Sequence, residues 1–565
     1  MSTRSSALRP TLAFAATVTG VLATFRLLEL IIARLGQLPA AAYKESFFLD
    51  TLIARWWYLV SSRIPWWLAV GGVAIVAVAM VLDARRFGGA GRQRFTALFA
   101  RWGDIDDGQA LRWLVIAVTA MPTWALSCYA RNVYVDQLHL ADRLLIVALW
   151  VAIALRPVFV LPFSVAAAGV AGQFTIPLGF ISWTEMGVLL RFPVLFGAFW
   201  VVRAATRGRR GDVFVFAWCC LLAATYWTSG LGKLRVGWLT HRHVDLLLLG
   251  AYANGWLAFL EPKVVEPAAR IVASTAVPLM LFTLLVECGS LVMLWRRWSL
   301  VGFFILAAVF HLGAFAMTGI FFWKWMLVDA MLLTYLLTGH RLARLSIFTP
   351  GLFASSVVAI LASPLWAPSE NLTWFDTPLT YSLDFEAVDA RGASHMLPAG
   401  FFRPYTDAIV LRPAGVTSPH PRLTAGMGVT MDRSLAQALV AARSPESVFA
   451  IEKTRRSSSV DSAASAAFDD FVGAYAANAG CASERDPLLL RIAGVPRHLW
   501  TFPLDATLPC GTPLERVRVF ERTTFFDGTS SRVIRRLLLR EIGVRPQVPP
   551  NVRECSGGCP PMGMR

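Results

Sequence analysis

The chain has 565 residues, 56% of them hydrophobic and only 16% charged, with a formal net charge of +17. Soluble domains run nearer about 45–50% apolar, so polar surface is too sparse here for a single soluble globule. The positive balance would suit nucleic acid, but no recognition motif for it is present. Its arginines cluster instead in short loops between apolar blocks, where they set membrane topology.

In chain order the apolar blocks fall at roughly 11–34, 65–82, 111–128, 143–162, 163–182, 184–202, 213–230, 272–295, 299–321, 323–340 and 348–366. Each approaches the ~20 residues that a spanning helix needs. This predicts an all-α polytopic membrane bundle of about 9–11 spanning helices over residues 1–366. The first block contains Arg26 and Glu29 and lacks a small-residue cleavage site, so it is read as a spanning helix and not as a signal peptide. Its arginine and glutamate, three residues apart, share a helix face and can neutralise each other.

The basic loops around Arg4, Arg85, Arg203, Arg296 and Arg341 all face the cytoplasm if 143–202 holds an odd number of crossings. Arg156-Pro157 and Gly169, Gly172 and Gly179 break the long block 143–182, either as two crossings or as one crossing with re-entrant pieces. The same parity carries 348–366 outward and leaves residues 367–547 as an extracytoplasmic α+β domain, followed by a Pro/Gly-rich tail at 548–565. Cys481, Cys510, Cys555 and Cys559 all lie in this part, which suits two disulfides in an oxidising compartment with three pairings open. Alternation in YSLDFEAV predicts a strand within 371–388, and RVRVFERTTFFDG (516–528) a strand ending in a turn. Phe468, Phe471 and Tyr475 at helical spacing predict a helix over 459–479.

Ionisable residues inside apolar blocks are functional candidates, because charge in hydrocarbon is costly. Lys233 ends a glycine-rich string, YWTSGLGKLRVGW (226–238). A desolvated amine there can act as a base near neutral pH; the alternative is a lysine that snorkels to the interface. Glu287 and His311 sit in the two blocks that follow, and Lys324 and Asp329 lie beside Trp323 and Trp325, where Lys324 suits an interfacial belt and Asp329 needs a partner.

The string Gly230-Leu-Gly-Lys233-Leu234-Arg-Val-Gly-Trp238 resembles the G-x-x-K-L-x-x-x-W signature of the HTTM superfamily, the membrane domain of vitamin K-dependent γ-glutamyl carboxylases and many bacterial proteins. Glu287, then Phe310-His311 with Gly319-Ile320-Phe321, and Phe25-Arg26-Leu27 near the N-terminus resemble further family motifs in the same order, over residues 12–340. The resemblance implies a helix bundle with a site opening to the extracytoplasmic side. It also implies that Lys233 takes the place of the lysine that deprotonates reduced vitamin K, with His311 and Glu287 as supporting site groups. Two positions depart from the carboxylases. No histidine occurs between His139 and His241, where their Asn-His pair lies, and Gly232 stands where they carry a second lysine. Three classes of function follow: a carboxylase-like enzyme acting on a quinone or peptide, with a reduced quinone such as vitamin K as cofactor; a membrane scaffold or maturation factor that binds an extracytoplasmic protein partner; and, last, a transporter. No metal site and no nucleic-acid partner is expected.

Overall fold

The computed structural model describes residues 3–35, 43, 97–129, 132–134, 136–175, 178, 183–240, 243–368, 372–411, 418–455, 462–479, 492–503 and 512–544. Its first part is helical: α1 (Thr3–Leu35), α2 (Gly108–Ser127), α3 (Leu140–Leu155), α4 (Val160–Gly172), α5 (Trp183–Thr206), α6 (Asp212–Val236), α7 (Val244–Ala253), α8 (Pro262–Ser274), α9 (Ala276–Gly289), α10 (Arg297–Thr318), α11 (Trp323–Leu337) and α12 (Pro350–Leu361). Among the described residues five helices, α1, α2, α5, α6 and α10, are long and apolar enough to cross a membrane. The pair α8–α9 adds a sixth if its 67° bend is taken as a break within one span. This is the make-up of a multi-pass integral membrane protein.

The other apolar blocks form shorter helices, for local reasons. Block 143–182 breaks at Arg156-Pro157 as expected: Arg156 is extended and Pro157 opens a 3-10 turn before α4. Proline fits a first helical position, where its missing N–H costs nothing. Block 348–366 yields only the 12 residues of α12 before a second short turn at Ser363. Block 65–82 and the tail 548–565 lie outside the described residues.

α6 is the central helix, with most of its residues sealed inside the bundle. It starts with Asp212 in its first turn, which complements the helix dipole. It ends at Gly237, whose φ of 76° is left-handed and favours glycine. The Arg26 guanidinium donates to Glu29 at 3.0 Å, as the spacing predicts, and Arg191 of α5 donates to the same carboxylate at 3.1 Å. The first-helix pair therefore ties α1 to α5.

Beyond the helices comes an antiparallel sheet in the order β3-β2-β5-β6, built from β2 (Leu379–Asp389), β3 (Ser394–Leu397), β5 (Leu514–Phe526) and β6 (Ser531–Gly543). A separate ribbon pairs β1 (Phe375–Asp376) with β4 (Val429–Thr430). β5 turns into β6 at Asp527-Gly528, where the Asp527 carboxylate accepts from the N–H groups of Thr529 and Ser530. Helices α13 (Arg433–Ala441), α14 (Pro445–Thr454) and α15 (Ser462–Ala479) accompany the sheet. The α15 face carrying Phe468, Phe471 and Tyr475 packs on Phe385, Phe402, Val517 and Val519, as the helical spacing requires. Cys481, Cys510, Cys555 and Cys559 lie outside the described residues; Cys128, Cys219, Cys220 and Cys288 are free thiols.

The sheet region is fastened to the ends of α7 and α10. Segment 492–503 runs across them: Phe321 N–H donates to the His498 carbonyl (2.6 Å), Trp500 N–H to Gly319 (3.0 Å) and Phe502 N–H to Gly255 (2.8 Å). Leu246, Trp256 and Val265 from the helical part share a core with Val410, Met427 and Leu499. Gly250 permits the closest approach, since a Cβ there would stand 2.2 Å from the Met427 carbonyl oxygen.

Candidate functional site: a buried lysine–glutamate pair at the bundle mouth

Lys233 lies in the last turn of α6 and Glu287 in the last turn of α9. The two helices approach closely because residue 230 is glycine: a Cβ there would lie 2.7 Å from Cys288 Sγ and 2.9 Å from Glu287 Cβ. Across this contact Lys233 Nζ donates to both Glu287 carboxylate oxygens, at 2.6 and 2.9 Å. Both side chains are buried, 6% and 3% exposed. Lys233 therefore does not snorkel. Burying two charges together is tolerated because each neutralises the other and the geometry is bidentate. The ammonium also lies 5.5 Å from the centre of the Trp238 ring, on the turn that follows α6.

Two turns earlier on the same face of α6 is Tyr226. Its hydroxyl lies 2.7 Å from His311 Nε2 of α10 and donates to Asp329 Oδ2 of α11 at 3.2 Å. A hydroxyl that donates to the carboxylate can only accept from the imidazole. With Asp329 ionised, the His311 proton is on Nε2. His311 Nδ1 and Asp329 Oδ1 are buried with no hydrogen-bond partner. Phe303, Phe322 and Trp325 surround the group with aromatic faces.

The structure thus brings Lys233 and Glu287 together and places His311 in a neighbouring cluster, with no hydrogen bond between His311 and either of them. Glu287 is within electrostatic reach of the Tyr226 hydroxyl, so the clusters adjoin. Asp329 has the partner that its burial requires. Lys324 is buried in protein beside the Trp323 ring.

Two acids from outside the spanning helices complete the mouth. Asp376 of β1 is buried and accepts from Trp374 Nε1 at 3.1 Å. Burial pushes its carboxyl up to about 7; the negative Asp245 adds to the rise, and Lys233 offsets part of it. Asp245, in the first turn of α7, is raised to about 6 by burial. Tyr226, Asp245 and Asp376 are functional candidates that sequence reasoning missed. Tyr226 had a signal, being seven residues before Lys233 and so on its helix face. The acids had none: Asp376 comes near Lys233 only once the sheet region docks, and Asp245 enters only through Asp376.

Among the described residues no cluster of three or more His, Cys, Asp or Glu could hold a metal ion. Comparisons with protein-family models, with curated proteins and with solved structures find no match.

Proposed function

We propose that this chain is an HTTM-type multi-pass membrane protein that transfers protons at the mouth of its bundle, acting on a quinone or a peptide from the extracytoplasmic side. The apolar blocks of the sequence support about 9–11 spans. The observation that carries the reading is the buried Lys233–Glu287 pair. An ammonium cannot accept a proton. The pair can, passing from ammonium–carboxylate to ammonium–carboxylic acid, and the accepting atom is then a Glu287 oxygen. Lys233 holds that carboxylate in place and stabilises it until the proton arrives.

The cluster around His311 fits a quinone in kind. It offers aromatic faces for a ring, and an unpaired imidazole nitrogen and carboxylate oxygen for its polar edge. A reduced quinone would supply an acidic hydroxyl there. In the carboxylase-like form of the reaction, the reduced quinone, deprotonated at the pair and then oxidised by dioxygen, would supply the strong base that takes the proton from a peptide glutamate, and carbon dioxide would add to the carbon left behind. The test is incorporation of labelled bicarbonate into Glu-containing peptides by the purified chain with reduced quinone. Incorporation is expected, and Lys233→Ala should abolish it; unchanged turnover in that variant would remove the lysine from the chemistry.

One observation favours a second reading, a scaffold that binds a protein partner. β6 is the edge of its sheet and exposes Val533 and Leu538 at 52% each, a surface suited to an added strand. Replacing both with lysine would abolish capture of such a partner while leaving turnover intact.

A further inference from the structure

Helix α8 carries three distinct faces. Val265 and Ala269 are buried, in the core shared with Leu246, Val410 and Met427. A second face carries Lys263, Glu266 and Arg270. The lysine and the arginine are exposed, and the Glu266 carboxylate accepts from the Ser531 N–H at the start of β6, at 2.8 Å. The third face holds Val264, Ala268 and Ile271, which recur at helical spacing. All three are exposed, Val264 at 49% and Ile271 at 67%. The helix thus turns one apolar stripe inward and another outward. After Thr275 the chain bends by 67° into α9, which packs along α6. From Ala276 to Trp295 it supplies about 20 residues with Glu287 as their one charge, enough to cross the hydrocarbon without α8. α8 itself places three charges within 13 residues.

We propose that α8 lies flat in the headgroup layer of the leaflet on the sheet-region side, with Val264, Ala268 and Ile271 seated in the outermost methylenes of the lipid chains. A helix of this kind buries its apolar face about 5–10 Å into the boundary between headgroups and chains and keeps its charged face in water. Three observations select a lipid surface as the occupant. α9 runs with the spanning helices, so a bend of 67° turns α8 closer to the bilayer plane than to its normal. The outward stripe continues along the chain into Val277, Leu279, Leu281 and Leu285 of α9, exposed apolar side chains of a segment that crosses the membrane. The charged face is the one that meets the sheet region, through Glu266, and it offers Lys263 and Arg270 at the level of the phosphates. The 67° bend is then the membrane boundary and not a break within one span. Seated this way, α8 holds the first turn of α9 at the headgroups and so sets the depth of Glu287 further along that helix.

The test is spin labelling of the full chain in phosphatidylcholine bilayers. Each label is read by its collisions with oxygen, which concentrates in hydrocarbon, and with a nickel chelate that stays in water. Lys263→Cys, Val264→Cys, Arg270→Cys and Ile271→Cys carry the label in turn, and the signal of identically treated wild type is subtracted for its own thiols. At 264 and 271 oxygen should outweigh nickel, at a depth of about 5–10 Å below the phosphates. At 263 and 270 the order should reverse. Positions 264 and 271 report the same face, so either decides the matter if the other variant fails to fold. Nickel dominance at all four positions would stand α8 in water and overturn the proposal. Oxygen dominance at all four would make α8 half of a broken span and overturn it as well. Protection of 264 and 271 from both reagents, with dipolar broadening between labels on different chains, would give the face to a second copy instead.

Discussion

Lys233 and Glu287 illustrate how a residue pair can be costly and indispensable at once. Removing one partner strands a buried charge, so Lys233→Met or Glu287→Leu alone should destabilise the protein by about 3–5 kcal/mol. Replacing both should return most of that loss, because two apolar side chains need no compensation. Thermal unfolding in detergent of the two single variants and the double variant measures this; a double variant no better than the singles would mean that the pair is not coupled. Asp376 gives a second prediction. Its folded-state carboxyl is raised to about 7, mainly by burial, above an unfolded value of about 3.9. The folded state thus binds the proton more tightly. Its contribution to stability is full below about pH 4 and falls away as pH rises through 7. Asp376→Asn, which stays neutral, should therefore gain apparent Tm over the wild type on going from pH 5 to pH 8. A constant difference between the two proteins across that range would show that Asp376 is not buried as described.

At the scale of elements, the sites depend on two close helix approaches. Gly230 admits Glu287 and Cys288, so Gly230→Val should force α6 and α9 apart, destabilise by about 1–3 kcal/mol and open the ion pair. A thermal shift smaller than that of an exposed control such as Gly313→Val would contradict the packing. This level also shows where the sequence was informative. The long helices α1, α2, α5, α6 and α10 were legible because each is one apolar run bounded by charge or glycine. The count of spans was not. Runs such as 143–182 and 348–366 are continuous in hydropathy, while the backbone breaks at Pro157 and before Pro364. β2, β5 and α15 were legible from period-two and helical spacing. β6 was missed: SRVIRRLLLREIG carries arginines on both faces and does not alternate, because neither face is fully buried. Lys233, Glu287 and His311 could be nominated from intramembrane charge. Their grouping could not, since it rests on which helices touch.

For the whole molecule, the sheet region closes over the end of the bundle that carries Lys233, and the arginine-rich turns around Arg203 and Arg210 lie at the far end of α6. In the proposed orientation the arginine end faces the cytoplasm, as the charge rule predicts, and the sheet region would lie outside. Arg391→Cys, in the exposed β2–β3 turn, should react with an impermeant maleimide on intact cells. Labelling only after lysis would invert the topology.

The most direct test of the central claim is proton abstraction itself, read as tritium release to water from the γ-carbon of a peptide glutamate in the presence of reduced quinone and dioxygen. The wild type should release label. The folded double variant Lys233→Met with Glu287→Leu should release none above background, and Glu287→Gln should lose at least about 100-fold, the scale of one general acid–base group. Release at the wild-type rate from the double variant would show that the buried pair only holds α6 to α9 and that the chemistry, if any, lies elsewhere.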